Sequence, residues 1–471
     1  MIPVRSLNRK TVAVFGLART GLGAVAALAA GGARVIAWDD SSTARDLGGQ
    51  AGAQPVPWRE WPWEEISALV LSPGVPLTHP RPHEVVLHAG QAHVPVIGDV
   101  ELFAHEMRPD PNTKGRAPVI AITGTNGKST TTALVGHILK NCGFDVQVGG
   151  NIGKSVLELG PPGPKTIYVL EMSSFQIDLA PGLVPDLGVL TNLSPDHIDR
   201  HGTMENYAAI KERLMRHTAP DGQVVIGVDD DYAAAIFTRL SGRGGGGSCP
   251  VSVGKVLGRG IFVVDGQLYD ARAGRAIKVM DMADARRLQG AHNWQNAALA
   301  YGAVAPFVSD AHAVAAAIAS FPGLAHRMED VGGRGRVRFI NDSKATNADA
   351  AARALAVWPD IFWIAGGKPK EGGIESLSAF FPRIRKAYLI GEAAQGFART
   401  LEGKAPYEVS GTLDAALAHA AADAERSAAP APVVLLSPAC ASYDQFKDFE
   451  HRGDVFRTLA AGVAGSREAA R

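Results

Sequence analysis

Short apolar runs recur along the chain, each ended by glycine, serine or an acid, and between them lie stretches whose apolar residues fall three and four apart. The first pattern is that of strands buried on both faces, the second that of helices packed against them. In the N-terminal part the runs 11–15, 34–38, 68–71 and 94–97 predict strands of a small parallel sheet. A second series begins near Pro118, with strands expected at 166–170 and 187–190 and β-like pieces such as 260–264. A third follows Phe321-Pro322-Gly323, a hinge by composition, with strands expected at 337–340, 361–365, 386–390 and 433–436. This alternation predicts an α/β fold in three domains, 1–98, 99–323 and 324–471. No repeat of solenoid period runs through it.

Polar residues gather where the predicted strands end. Glu171 follows the run 166–170, and Asp196-His197 lie shortly after 187–190. In the third domain the ends carry Asp342-Ser343-Lys344, Gly366-Gly367, Gly391-Glu392 and Ser437-Pro438. Parallel sheets bind ligands beyond the carboxyl ends of their strands, so Lys128, Ser129, Glu171 and His197 are expected to share one crevice.

The most specific of these ends is Gly124-Thr-Asn-Gly-Lys-Ser-Thr130, entered from the apolar run Ile120-Ala-Ile-Thr123. Gly124 and Gly127 permit a tight turn that aims backbone N–H groups at phosphate oxygens, and the helix start adds positive potential. Lys128 supplies a point charge for the outer phosphates, and the Ser129 hydroxyl a ligand for Mg²⁺. Ala133, Leu134, Val135, Ile138 and Leu139 share one face of the helix that follows, and Cys142-Gly143 ends it. Two residues separate the glycines where the common P-loop has four, so this is a shorter variant of a triphosphate cradle. Near the N-terminus, Gly16-Leu-Ala-Arg-Thr-Gly21-Leu-Gly23 precedes an Ala-rich helix, and Asp39 closes the next strand. That spacing is not G-x-G-x-x-G, which favours a nucleotide diphosphate over a nicotinamide cofactor.

Charge and cysteine usage narrow the picture. Forty-seven basic and 47 acidic side chains cancel, so no whole-chain charge favours nucleic acid or an anionic membrane. The opening residues are too polar for a signal peptide, and no apolar run reaches the ~18 residues of a membrane span, so the cytosol is the expected compartment. Cys142, Cys249 and Cys440 lie far apart without metal-ligand spacing and are expected as buried small apolar residues. Glu171 reads either as a metal ligand or as an ordinary strand-end carboxylate, and His197 as a second metal ligand or part of a helix start capped by Asp196. A zinc pair of His197 and His201 lacks a third ligand. Lys211, on the amphipathic helix around Tyr207, reads by itself as a solvated lysine.

Thr123-Gly-Thr-Asn-Gly-Lys-Ser-Thr130, Glu171-Met-Ser-Ser-Phe-Gln176, Asn192 to His197, Lys211, His292-Asn-Trp-Gln-Asn296 and His326-Arg327 stand in a fixed order. With these marks the chain resembles, over essentially its full length, the Mur ligases, ATP-dependent enzymes that add amino acids to peptidoglycan precursors. Asn341-Asp-Ser-Lys-Ala-Thr-Asn347 and the tail Leu436-Ser-Pro-Ala-Cys-Ala-Ser-Tyr-Asp-Gln-Phe-Lys-Asp-Phe449 are similar to the branch that adds D-glutamate. The resemblance implies an N-terminal Rossmann-like domain for the UDP moiety, a central P-loop-type mononucleotide-binding ATPase domain and a C-terminal Rossmann-like domain for the incoming amino acid. It implies ATP and Mg²⁺ as cofactors and UDP-N-acetylmuramoyl-L-alanine and D-glutamate as substrates, with no nucleic-acid or membrane partner and a monomeric chain.

Carried over residue by residue, the resemblance makes Lys128, His197 and Lys211 catalytic, with Lys211 carbamylated. Gly124, Thr125, Asn126, Gly127, Lys128, Ser129 and Thr130 would hold the phosphates, and Ser129, Glu171, His197 and Lys211 the magnesium. Asn293 and Asn296 match adenine or ribose contacts, and Arg327 and Asp342 contacts to γ-phosphate and ribose. Arg19, Thr20, Asp39, Ser72 and Asn151 match the uridine-substrate positions, although Arg19 stands where an apolar residue is common. Lys344 pairs with an anion, and Thr346, Lys370, Ser442 and Phe449 match the D-glutamate site, with Lys368 a competitor for the role of Lys370. A sister ligase, a folate-polyglutamating enzyme and a nonenzymatic nucleotide sensor are the rival readings.

Overall fold

Runs of β-branched and aliphatic residues become strands here because both of their faces are covered, and among the described residues they form three sheets. The computed structural model describes residues 1–107, 117–241, 247–369 and 372–465. Its contacts divide the chain into two units, one of Met1–Ala285 with Asn293–Phe321, the other of Arg286–His292 with Pro322–Arg471. The fold is α/β throughout.

The first unit holds two sheets. A five-stranded parallel sheet orders its strands Gln54–Pro55, Arg34–Trp38, Thr11–Phe15, Ile66–Leu71 and Val96–Ile97. Alternation along Thr11–Phe15 shows how it is buried: Val12 and Val14 enter one apolar cluster, Ala13 and Phe15 the opposite one. The last strand is shorter than the run 94–97. Val94 N–H instead bonds Ala89 O, and Pro95 has no N–H to give a ladder.

A nine-stranded sheet forms the rest of that unit. Val119–Thr123, buried along its whole length, lies between Leu187–Leu190 and Thr166–Glu171, all parallel. The sheet continues through Gln223–Gly227 and Ser248–Val253 to Ile261–Val264, then turns antiparallel through Gln267–Asp270 and Ile277–Asp281. Residues 242–246 of the Gly-rich stretch Ser241-Gly-Arg-Gly-Gly-Gly-Gly-Ser248 lie outside the described residues.

In the second unit, Glu329–Arg334 runs antiparallel to Val337–Asn341, and Val433–Leu436, Ile361–Gly366, Ile384–Ile390 and Tyr407–Gly411 follow in parallel. Ile361, Trp363 and Ala365 face one cluster, Phe362 and Ile364 the other. Cys249 and Cys440 are buried as expected. Cys142 is only half-buried, because it is the C-cap residue of the helix Lys128–Asn141. Among the described residues no helix is long and apolar enough to cross a membrane.

Trp363 is fully buried and its indole N–H donates to Ser437 O at 2.8 Å. Trp363→Phe should cost about 1–3 kcal/mol by stranding that carbonyl, and Trp363→Ala about 3–5 kcal/mol through the cavity. Denaturant unfolding of the parent and the two variants measures both costs; parent-like stability in Trp363→Phe would show that the hydrogen bond contributes nothing, and equal stability of the two variants that the packing contributes nothing.

Candidate active site

The loop after Val119–Thr123 has the shape its glycines allow. Gly124 takes φ 145° and Gly127 φ 81°. A methyl on Gly124 would lie 1.9 Å from Thr191 Oγ1, and one on Gly127 2.2 Å from Asn296 Oδ1. Both positions therefore need glycine, for conformation and for close approach. Gly127 is the N-cap of Lys128–Asn141 and no side chain caps that helix, which leaves its start suited to an anion. Lys128 curls over the loop, its Nζ donating to Gly124 O at 3.0 Å and Thr125 O at 2.7 Å. Ser129, on the first turn, is buried.

Lys211 is where reading the residues alone goes wrong. Far from being solvated, it is 1% exposed. Its Nζ donates to Thr123 Oγ1 at 3.2 Å and Gly124 O at 3.0 Å and sits 4.7 Å from the Tyr207 ring centroid. Burial holds its pKa well below the usual lysine value; Lys128 pushes it further down, and Asp196 and Glu171 partly oppose this. The helix Met204–Arg216 lays this face against the strand ends, so the amphipathic pattern gave the helix but misjudged which polar residue it buries.

Glu171 is 2% exposed. Its Oε1 accepts from Asn151 Nδ2 at 2.8 Å, while Oε2 is buried without a hydrogen-bond partner. A buried, unsatisfied carboxylate oxygen beside a lysine of depressed basicity suits a cation. His197 has φ 54° and is the N-cap of the short helix Ile198–His201. Asp196 does not cap that helix by its side chain; its Oδ1 accepts the His197 N–H at 3.0 Å. Burial lowers the His197 pKa, which Asp196 partly restores and Lys128 and Lys211 depress again. Lys211 thus feels the charges of Lys128 and Glu171, and His197 those of Lys128 and Lys211, which places the four side chains in one neighbourhood. His201 turns away to bond Ser174 Oγ at 2.8 Å, and the Phe175 ring packs against both histidines. Among the described residues no three His, Cys, Asp or Glu side chains form a metal-holding group.

Asn296 Nδ2 donates to Asn293 Oδ1 at 3.2 Å, and Thr131 Oγ1 donates to Asn296 Oδ1 at 3.2 Å, which sets this pair against the loop at Gly127. At the five-stranded sheet, Arg19 and Thr20 open the helix Arg19–Ala30. Asp39 accepts Leu17 N–H at 2.7 Å and Ser41 N–H at 2.9 Å, and Ser72 N–H donates to Phe15 O at 2.9 Å. These residues therefore gather at the carboxyl ends of adjacent strands. Arg200, absent from the sequence reading, ties this edge to the His197 helix: its guanidinium donates to Gly74 O and Val75 O, both at 3.1 Å, and lies over the Phe175 ring.

In the second unit, Asp342 Oδ2 accepts from Ser437 Oγ at 2.8 Å and Oδ1 from Met328 N–H at 3.2 Å. Burial raises its pKa to about 7, against the pull of Ser437, Met328 N–H, Arg327 and Arg452. Lys344 Nζ stands 3.7 Å from the Phe449 ring centroid, and Thr346 N–H donates to Lys344 O. Ser442 is buried and Lys368 exposed; Lys370 lies outside the described residues. The fully buried Arg452 joins Ser343 to Cys440 O and Ala441 O. It escaped the sequence reading, although its place three residues after Phe449 on one helix was the available signal.

Residues 122–304 match the Mur ligase middle domain and residues 326–440 the Mur ligase glutamate ligase domain. The chain is 56% identical over 467 residues to the UDP-N-acetylmuramoylalanine–D-glutamate ligase of Nitrobacter winogradskyi, covering 99% of each. It is 54% identical over 469 residues to that of Brucella abortus, covering 99% of this chain and 98% of the other. Among solved structures it is similar to the UDP-N-acetylmuramate–alanine ligase of Thermotoga maritima, with TM-score 0.59 and 17% identity, covering 96% of this chain and 99% of that one. That last likeness is one of fold.

The raised pKa of Asp342 has a consequence for stability. The folded chain keeps a proton there that the unfolded chain releases near pH 4, so stability falls as pH rises from there towards 7, by a few kcal/mol in order of magnitude. Asp342→Asn should flatten that part of the profile. Denaturant midpoints of both proteins from pH 4 to 8 test it, and parallel profiles would refute the buried acid.

Proposed function

This chain belongs to the Mur ligase family, and we propose that it joins D-glutamate to UDP-N-acetylmuramoyl-L-alanine while ATP becomes ADP and phosphate. The full-length likeness to D-glutamate ligases carries this reading. In it, the alanine carboxylate oxygen attacks the γ-phosphorus and ADP leaves, giving an acyl phosphate. The amine of D-glutamate then attacks that carbonyl, phosphate leaves and the amine gives up a proton. Activation is needed because a carboxylate resists nucleophiles, and exclusion of water because an acyl phosphate hydrolyses.

Lys128 and the loop 124–130 hold the β- and γ-phosphates in this reading, positioning being the main protein contribution to phosphoryl transfer. Ser129, Glu171, His197 and Lys211 are assigned to Mg²⁺, and the unsatisfied Glu171 Oε2 is the observation that fits it. The ion would neutralise phosphate charge as the γ-group moves. Lys211 is assigned as carbamylated. Its amine, made less basic by burial, would add to CO₂ and lose a proton, which places a negative charge at that position.

Asn293 and Asn296 are given to the adenosine, with Arg327 and Asp342 to γ-phosphate and ribose. Arg19, Thr20, Asp39, Ser72 and Asn151 are given to the uridine substrate. Lys344, Thr346, Lys370, Ser442 and Phe449 are given to the incoming amino acid, a lysine opposite its side-chain carboxylate being the chemistry D-glutamate requires. A cytoplasmic monomer completes the reading.

The direct assay supplies ATP, Mg²⁺ and UDP-N-acetylmuramoyl-L-alanine and compares amino acids by phosphate release and product mass. D-glutamate should be the productive one; release without it, or with L-glutamate equally, would sink the proposal. Lys128→Ala should keep the unfolding transition of the parent and lower kcat about 10²–10³-fold. With ¹³C-labelled bicarbonate, the parent should show a carbamate resonance that Lys211→Arg lacks, and a spectrum without that resonance would remove Lys211 from its role.

A further inference from the structure

Asn192 and Gln295 lie in two of the sequence marks of the family, yet neither has a part in the reaction as described so far. Both belong to one chain of hydrogen bonds ending on the phosphate loop. Asn192 holds the Asn126 backbone at both of its polar groups: its Oδ1 accepts Asn126 N–H at 3.0 Å, and its Nδ2 donates to Asn126 O at 3.1 Å. The neighbouring backbone reinforces this, with Thr125 N–H donating to Asn192 O at 2.8 Å and Thr191 Oγ1 to Asn126 O at 2.6 Å. Asn192 Nδ2 also reaches Gln295 Oε1 at 3.4 Å, and Gln295 Nε2 donates to Asp229 Oδ2 at 3.0 Å. Asp229 is itself held by Val253 N–H at 2.9 Å and by the Ser252 hydroxyl.

The chain has one polarity. A carboxylate only accepts, so Gln295 must turn its NH₂ to Asp229 and its oxygen to Asn192. Asn192 must then turn its NH₂ to Gln295 and Asn126 O, and its oxygen to Asn126 N–H. An amide facing the other way would set donor against donor at Asn126. Asp229 thereby orients an amide two residues along the chain of bonds, and through it the peptide at the apex of a loop whose N–H directions decide how a phosphate is met. The same helix touches the loop a second time, where Asn296 packs on Gly127.

We propose that Asn192 is a positioning residue for phosphoryl transfer, acting through the Asn126 peptide, and that Gln295 and Asp229 fix the orientation of its side-chain amide. The proposal rests on the ATP-dependent reading above. Asn192→Ala frees the apex of the loop, and misplacement on the scale of an ångström is enough to lower kcat/KM for ATP about 100-fold. Asp229→Asn leaves every side chain in place but removes the constraint on polarity, so a smaller loss of the same kind is expected.

The test measures ATP binding by titration calorimetry, steady-state kinetics and unfolding midpoints for the parent, Asn192→Ala, Asp229→Asn and the double variant. The expected result is weaker ATP binding, raised KM for ATP and lowered kcat, with KM for D-glutamate and the uridine substrate within twofold of the parent. A mere loss of folded protein would not raise KM for one substrate alone. The double variant should be no worse than Asn192→Ala, because Asp229 acts only through Asn192. Parent-like ATP binding and kcat/KM in Asn192→Ala, or additive losses in the double variant, would overturn the inference. If the parent itself neither binds ATP nor forms product, the proposed function fails instead, a separate outcome.

Discussion

One carbonyl oxygen, that of Gly124, accepts a hydrogen bond from each of two lysines, Lys128 and Lys211. Two ammonium groups at one acceptor repel, and the deeper one has almost no water to share its charge. The structure resolves this by depressing the Lys211 pKa rather than by pairing that residue with an acid. A site so arranged favours negative charge at the loop and holds a lysine of depressed basicity beside it. The loop 124–130, the buried lysine and the unsatisfied oxygen of Glu171 are parts of the same electrostatic arrangement.

What makes this crowding tolerable is backbone geometry. Gly124 and Gly127 let the chain pass against Thr191 and Asn296 at distances no side chain permits, and the following helix starts uncapped. The loop is then tied from outside by 191–194 and by the helix Ala291–Val304. Rigidity at its apex is supplied by neighbours, in keeping with a loop that must present N–H groups in fixed directions.

The second unit shows the same economy with opposite sign. Asp342 and Arg452 are both buried, and neither makes a simple ion pair with the other; each is satisfied by hydroxyls and backbone groups at the strand ends. Desolvation therefore dominates: it raises the acid to about 7 and lowers the base to about 10. Polar residues here organise loops, and their titration follows from burial more than from each other.

The sequence by itself determined the α/β plan, the loop 124–130 with its two obligatory glycines, and the strand ends at which polar residues collect. Those are local matters: alternation decides which residues face the core, and glycine is required at 124 and 127, where positive φ coincides with a close approach of neighbouring atoms. Burial at a distance was decided only by tertiary structure. Lys211 reads as a solvated lysine until its helix is laid over Thr123 and Gly124, and nothing in the spacing of His197 and His201 shows that Phe175 packs against both or that His201 bonds Ser174. Asn192, Gln295, Arg200 and Arg452 have meaning only through partners far away in the chain, and the energy of a polar side chain depends on who solvates it. That quantity belongs to the folded arrangement, and no spacing along the chain encodes it.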